Sequence, residues 1–197
     1  MLLSTSMADA ARRATYADIE ALPENITGEI IDGVLYTQAR PAGPHISVGV
    51  GLIAWLDSSF GFSPGAPGDW VFFVEPELHL GADVLVPDIA GWRVERLAPD
   101  ARARASFEVP PDWVCEIASP STSMRDRRIK SPAYARHGID HLWLVEPTEH
   151  RVEVFERLDA RWVVVGSWDA DADARVPPFD SVALDLSQLW NRLARTR

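Results

Sequence analysis

The order of the apolar segments along the chain is the feature that most constrains its fold. Residues 28–36 contain two apolar runs around Asp32-Gly33, the strongest short-range signal for a β-hairpin. An apolar segment at 46–60 predicts the first core helix, and the segments that follow have the patterns of strands and helices in alternation. This order predicts an α/β fold in which a central mixed β-sheet is flanked by helices.

Two residues set the limits of a second long helix, predicted over 124–137. Gly138 is expected to end it, because glycine readily adopts the left-handed conformation of a helix C-cap. Pro132 is expected to kink or shorten it, because proline lacks the backbone N–H that a helix interior uses. Shorter helices are predicted at 16–22 and 185–193, and strands at 71–80, 84–92, 113–118, 141–145, 151–157 and 161–168.

Length and composition predict one globular domain over residues 16–197, preceded by a loose N-terminal leader over residues 1–15. The single cysteine excludes an internal disulfide, and the N-terminus lacks the pattern of a signal peptide, so the cytoplasm is the expected compartment. The longest apolar-rich run, 46–56, is too short to cross a bilayer, so no membrane association is expected.

The charge balance gives two opposed indications about nucleic acid. A net charge of −10 argues against a general electrostatic grip on a polyanion, because such binding depends on phosphate neutralisation. A local cluster of cations nevertheless lies on the second long helix, where it has two equally supported interpretations: a phosphate-contacting patch or a solvated helix face. The cluster consists of Arg125, Arg127, Arg128, Lys130 and Arg136.

One lysine and two acids are the candidate catalytic groups. Lys130 is the only lysine among nineteen basic residues. Glu116 lies on a predicted buried strand, and Asp88 follows Pro87 in another apolar strand. A buried carboxylate is costly unless it is paired or bound to metal. Either acid alone is more simply a strand-end cap or an arginine partner, but with Lys130 they form the minimum set for metal-assisted phosphodiester hydrolysis.

Six segments, taken in order, resemble the Uma-type family of restriction endonucleases, which belongs to the PD-(D/E)XK nuclease superfamily. No single motif is decisive, but their order along the chain is specific, and the resemblance extends over roughly residues 16–190. The matching segments are 29–36, 44–45, 86–90, 115–122, 125–130 and 134–147.

The resemblance implies a Mg²⁺ or Mn²⁺ ion held by Asp88, Glu116 and the carbonyl of Ile117. The superfamily's usual lysine, two residues after the second acid, is replaced by Ala118 in this chain. The Uma-type pattern supplies its lysine from the following helix, and Lys130 matches that position. Lys130 would then position the attacking water or neutralise the transition state.

Two further residues match the family pattern at the edge of this site. Glu29 matches its early acid and would be an additional ligand to metal or water. His45 matches the histidine before the first long helix and would contact water or phosphate.

The resemblance therefore implies a metal-dependent endonuclease that hydrolyses phosphodiester bonds of nucleic acid, with DNA as the expected substrate and a homodimer as the expected assembly. The alternative is a catalytically inactive binding or regulatory protein on a nuclease fold. The acidic net charge and the absence of a recognisable DNA-reading module in the sequence favour that alternative. RNA or branched ends remain open as substrates.

Overall fold

The computed structural model describes residues 12–39, 43–62, 66, 68–119 and 123–194. Most of the predicted leader, 1–11, lies outside this range. Its described end is attached to the domain, because the Ala14 N–H donates to the Gly33 carbonyl at 2.8 Å.

The helices and strands follow the predicted order with a few changes in their bounds. The helices are α1 (Tyr16–Glu20), α2 (Gly43–Phe60), α3 (Ser123–Arg125), α4 (Ser131–Arg136) and α5 (Leu186–Ala194), with a π-helical turn (Asp126–Lys130) between α3 and α4. The strands are β1 (Ile26–Ile31), β2 (Val34–Ala39), β3 (Trp70–Val74), β4 (Glu77–Leu80), β5 (Asp83–Leu85), β6 (Ile89–Arg93), β7 (Ser106–Phe107), β8 (Trp113–Ile117), β9 (His141–Glu146), β10 (Arg151–Leu158) and β11 (Arg161–Trp168).

The strands form two mixed sheets. The first sheet has the order β2-β1-β5-β4-β7, in which only β4 and β7 are parallel. The second sheet has the order β11-β10-β9-β8-β6-β3, in which only β8 and β9 are parallel. The parallel pair β8–β9 is joined through α3, the π-helical turn and α4, as parallel strands require a crossover connection. Mixed sheets flanked by helices confirm the predicted α/β class.

Two predicted strands are each divided between the sheets, so one central sheet is replaced by two. The predicted strand 71–80 separates into β3 and β4, and 84–92 separates into β5 and β6. Pro76 and Pro87 lie at these breaks, and proline cannot donate to a strand ladder. The two segments that cross from one sheet to the other are in contact, since the Glu75 N–H donates to the Asp88 carbonyl at 3.0 Å.

Several local predictions are confirmed. Asp32 and Gly33 have φ of 55° and 80°, the left-handed pair that a two-residue hairpin turn requires. Gly138 has φ of 81° and follows the helical segment that it was expected to end. Pro132 is the second residue of α4, which begins directly after the π-helical turn, so the regular α-helix here is shorter than the predicted 124–137.

Two apolar clusters hold the second sheet in place. One lies under α2 and α5 and is centred on Phe179, whose ring contacts six other aromatic rings. The other includes residues of α4 and both sheets. Within the described part of the chain, no helix has both the length and the apolar character needed to cross a membrane.

Candidate active site

Four of the predicted site residues meet at the junction of the two sheets. Glu29 lies on β1 of the first sheet, and Glu116 lies on β8 of the second. Asp88 lies on the crossing between β5 and β6, and Lys130 is the last residue of the π-helical turn. These four residues are called the acid–lysine cluster below. Their side chains come from four separate elements, so only the tertiary fold brings them together.

The Lys130 ammonium is at the centre of this cluster and is 1% exposed. Its Nζ lies 2.8 Å from Glu116 Oε1 and 3.0 Å from Glu29 Oε1. It also donates to the Val86 carbonyl at 2.9 Å. An ammonium has three N–H donors, so these three acceptors use all of them.

Glu29 and Lys130 together hold the crossing segment that carries Asp88. The Val86 N–H donates to Glu29 Oε1 at 2.8 Å, while Lys130 donates to the carbonyl of the same residue. Both backbone polar groups of the buried residue Val86 are thereby satisfied by buried side chains, as buried backbone groups require. The cluster therefore fixes the backbone from which the Asp88 side chain extends.

Asp88 and His45 form the more exposed part of the site. Asp88 Oδ2 accepts the Ile117 N–H at 2.6 Å and lies 3.0 Å from His45 Nε2. Their side chains are 12% and 15% exposed, whereas those of Glu29 and Glu116 are 1% and 3% exposed. His45 lies in the first turn of α2, so this helix also contributes a side chain to the exposed part of the site.

The pKa shifts show a surplus of negative charge around Glu116. Burial raises the pKa of the Glu116 carboxyl well above its usual range, and Lys130 acts in the opposite direction. Three nearby carboxylates raise the pKa further, those of Asp88, Asp126 and Glu29. Burial lowers the pKa of Lys130, but the carboxylates outweigh this effect and raise the pKa above its ordinary value. The ammonium therefore stays charged.

The sequence interpretation did not include Tyr134 and Asp126 among the site residues. The Tyr134 hydroxyl is fully buried and donates to Glu116 Oε1. Asp126 is 3% exposed and raises the pKa of Glu116. The available signal was spacing, because residues 126, 130 and 134 recur every four positions and so face one side of a helix.

The predicted cation cluster is largely neutralised by neighbouring acids. Arg127 contacts Glu146 and Glu153, and the Arg125 guanidinium lies 3.8 Å from Glu29 Oε2. Of the other cations in this cluster, Arg136 pairs with Asp32 and Asp83. Lys130 is buried, and Arg128 is exposed. This arrangement favours local ion pairs over a phosphate-binding patch.

An apolar cleft of about 200 Å³ opens beside Asp88 and His45. Ile117 forms part of its wall and also donates the backbone N–H that Asp88 accepts. The cleft is therefore continuous with the exposed part of the site. Its lining residues are His45, Ile46, Gly49, Val50, Ile53, Val74, Glu75, Asp88, Ile89 and Ile117.

The acid–lysine cluster has the oxygen donors that a hard divalent cation prefers. Mg²⁺ and Mn²⁺ favour carboxylate and carbonyl oxygens, and a positive ion would offset the charge that raises the pKa of Glu116. Glu29 Oε2 is buried and has no hydrogen-bond partner. Among the described residues, no group of three or more His, Cys, Asp and Glu side chains is arranged to hold a metal. Two carboxylates, one carbonyl and water would complete a Mg²⁺ shell without such a group.

Comparison with known proteins gives a matching family and a similar solved structure. The chain matches the Uma2 family, described as a putative restriction endonuclease, over residues 14–187. It is also similar to the crystal structure of a putative nuclease belonging to DUF820 from Anabaena variabilis ATCC 29413, with 25% identity and a TM-score of 0.72. That similarity covers 91% of this chain and 99% of the other. No curated protein matches the chain.

The family match and the structural similarity together indicate a protein of the restriction-endonuclease-like nuclease class. The chain belongs to the Uma2 family, since the family match covers most of its length. The resemblance found in the sequence is thereby confirmed.

Proposed function

We propose that this protein is a metal-dependent endonuclease that hydrolyses phosphodiester bonds of nucleic acid, with DNA as its substrate. The observation that carries the proposal is the convergence of two buried glutamates on one buried ammonium, directly beside the more exposed Asp88. A structural salt bridge requires only one acid for one lysine. The surplus of carboxylates supports a cation site instead.

Asp88, Glu116 and the Ile117 carbonyl would hold the ion, with Glu29 as a further oxygen donor. When bound, Mg²⁺ or Mn²⁺ lowers the pKa of a coordinated water and stabilises negative charge on phosphoryl oxygens. The Ile117 N–H holds the Asp88 carboxylate in one orientation at 2.6 Å. His45 contacts Asp88, and from there its ring would contact water or a phosphate oxygen at the exposed edge of the site.

Lys130 acts in this scheme by positioning the acids. Its three N–H donors are engaged with Glu29, Glu116 and Val86, so this geometry leaves no donor for an attacking water. It orients both glutamates, and it holds the backbone that precedes Asp88. A direct contact with substrate would require one of these hydrogen bonds to break.

The engaged lysine also supports a second candidate function, a nuclease-fold protein that binds nucleic acid or regulates a partner without cleavage. The net charge of −10 and the paired arginines favour the same alternative. A cytoplasmic homodimer belongs to the proposal in either case. Light scattering during size-exclusion chromatography tests the dimer, and fractionation of the producing cells tests the compartment.

Cleavage of plasmid and oligonucleotide substrates tests the proposed activity. Single-stranded DNA, duplex DNA and RNA are incubated with Mg²⁺, Mn²⁺ or a chelator, using wild type, Asp88→Asn and Glu116→Gln. The exposed Glu108→Gln substitution, away from the cluster, is the matched control. We expect metal-dependent cutting by wild type and the control, and loss of cutting in both site variants. Full activity in either site variant would contradict the assigned roles, and inactivity of folded wild type on every substrate would favour the binding protein.

A further inference from the structure

The cleft beside Asp88 has walls that are almost entirely aliphatic. Seven of its ten lining residues are apolar or glycine, and the polar ones are His45, Glu75 and Asp88. Three of the aliphatic side chains are unusually exposed for their type, with Ile46 at 51%, Val50 at 50% and Val74 at 59%. Gly49 adds no side chain to the floor, and a Cβ there would lie 3.3 Å from Ile117 Cδ1.

The chemistry of the lining excludes a phosphate as the group held inside the cleft. It contains no lysine or arginine, and its two carboxylates, Glu75 and Asp88, would repel an anion. A neutral, flat and largely apolar group fits such walls, because it removes apolar surface from water without leaving charge unpaired.

We infer that the cleft receives one unstacked nucleobase of the nucleotide next to the scissile phosphate. The inference rests on the proposed function, because a phosphodiester held at Asp88 places its neighbouring nucleoside at the mouth of this cleft. Apolar side chains commonly enclose a base that has left its stack. The substrate class is therefore nucleic acid with unpaired bases, such as single strands, frayed ends or distorted duplex.

Size and charge both support this assignment. An apolar cavity of about 150 Å³ accommodates a benzene ring, and the cleft measures about 200 Å³ and is open on one side. A base that remains paired inside a duplex cannot enter it. The net charge of −10 also disfavours the phosphate-dominated grip used for duplex DNA, so base contacts would supply a larger share of the affinity.

Binding of mononucleotides tests the inference without requiring turnover. Wild type in Mg²⁺ is titrated with thymidine 5′-monophosphate and with 2-deoxyribose 5-phosphate, which has the same sugar and phosphate but no base. Methyl NMR resonances of Ile46, Val50 and Val74 report on the cleft. We expect these resonances to shift with the nucleotide, which should bind about ten-fold tighter than the sugar phosphate. Equal affinities, or shifts confined to other methyl groups, would overturn the inference.

A filled cleft provides the matched comparison. Val50→Trp places a large ring at the mouth of the cleft, while Val163→Trp makes the same change at an exposed position on β11. Neither residue belongs to the acid–lysine cluster, and both are about half exposed, so both variants should fold. The preference for the nucleotide over the sugar phosphate should disappear in Val50→Trp and persist in Val163→Trp. Its persistence in both variants would place base binding elsewhere.

A cleavage experiment separates this inference from the proposed activity. Wild type should cleave an oligonucleotide with one abasic nucleotide beside the cut site about ten-fold more slowly than the intact oligonucleotide. Val50→Trp should cleave both oligonucleotides at that slower rate. Base-dependent binding without any cleavage would support base binding in the cleft and contradict the proposed hydrolysis. A cleavage rate that is unchanged both by the missing base and by Val50→Trp would support hydrolysis and contradict base binding in the cleft.

Discussion

Replacing Lys130 by methionine measures how strongly the buried cluster holds the two sheets together. The substitution keeps an unbranched side chain of similar length but removes the ammonium. It breaks contacts of 2.8 Å to Glu116, 3.0 Å to Glu29 and 2.9 Å to the Val86 carbonyl. Removing one partner of a buried ion pair typically costs about 3–5 kcal/mol, because the remaining charge is buried and unpaired. Here two carboxylates lose the same partner, so the upper end of that range is expected.

Such a loss is a large fraction of the total stability, which is about 5–15 kcal/mol for a typical domain. Equilibrium unfolding in guanidinium chloride, followed by the fluorescence of the eight tryptophans, measures it. Arg128→Met is the matched control, because it removes an exposed cation from the same π-helical turn. Its expected cost is within about 0.5 kcal/mol.

A double variant identifies the source of the destabilisation. Glu29→Gln in the Lys130→Met background removes one of the two orphaned charges, so it should recover part of the lost free energy. A cost of Lys130→Met no larger than that of Arg128→Met would refute the reasoning. So would a double variant whose costs simply add, because the two side chains lie 3.0 Å apart and should be coupled.

Three other predictions concern groups outside the cluster. Burial raises the pKa of the Cys115 thiol, so native protein should not react with a thiol reagent that labels the unfolded chain promptly. Burial lowers the pKa of His141, so the folded state disfavours its protonation. The melting temperature should therefore fall as the pH drops from about 7 to about 5, and His141→Gln should reduce this fall. Phe179 is fully buried among six aromatic rings, so Phe179→Ala should cost about 3–5 kcal/mol in chemical denaturation, and a cost below about 1 kcal/mol would contradict the described packing.

Lys130 shows how far a sequence interpretation of the site extends. Its uniqueness and its place after two acids made it a candidate site residue. A substitution of Lys130 is nevertheless an unsuitable test of catalysis, because the fold uses the same ammonium to satisfy Val86 and two carboxylates. Lost activity in such a variant would combine a chemical effect with a folding effect. Asp88, which is more exposed and does not contact Lys130 through any described hydrogen bond or ion pair, gives the cleaner comparison.

Local sequence patterns were enough to predict those parts of the structure that neighbouring residues decide. The Asp32-Gly33 turn, the helix predicted over 46–60 and the end of the helical segment at Gly138 follow from backbone preferences and apolar periodicity, although the helix begins three residues earlier, at Gly43. The prediction of unbroken strands through Pro76 and Pro87 was wrong, although proline interrupts a strand ladder. Which sheet each half would join was not marked, because strand pairing depends on contacts between distant segments.

The sequence by itself determined the α/β class, the family and the residue types available for chemistry. The tertiary structure decided how those residues are used. Glu29 reaches Val86 across 57 positions, and Lys130 reaches it across 44, so no local pattern could indicate that both hold the backbone of the same residue. Hydrogen bonds and charge effects act over a few ångströms of space. Only the fold brings these distant residues close enough for one lysine to contact two glutamates and the backbone that precedes Asp88.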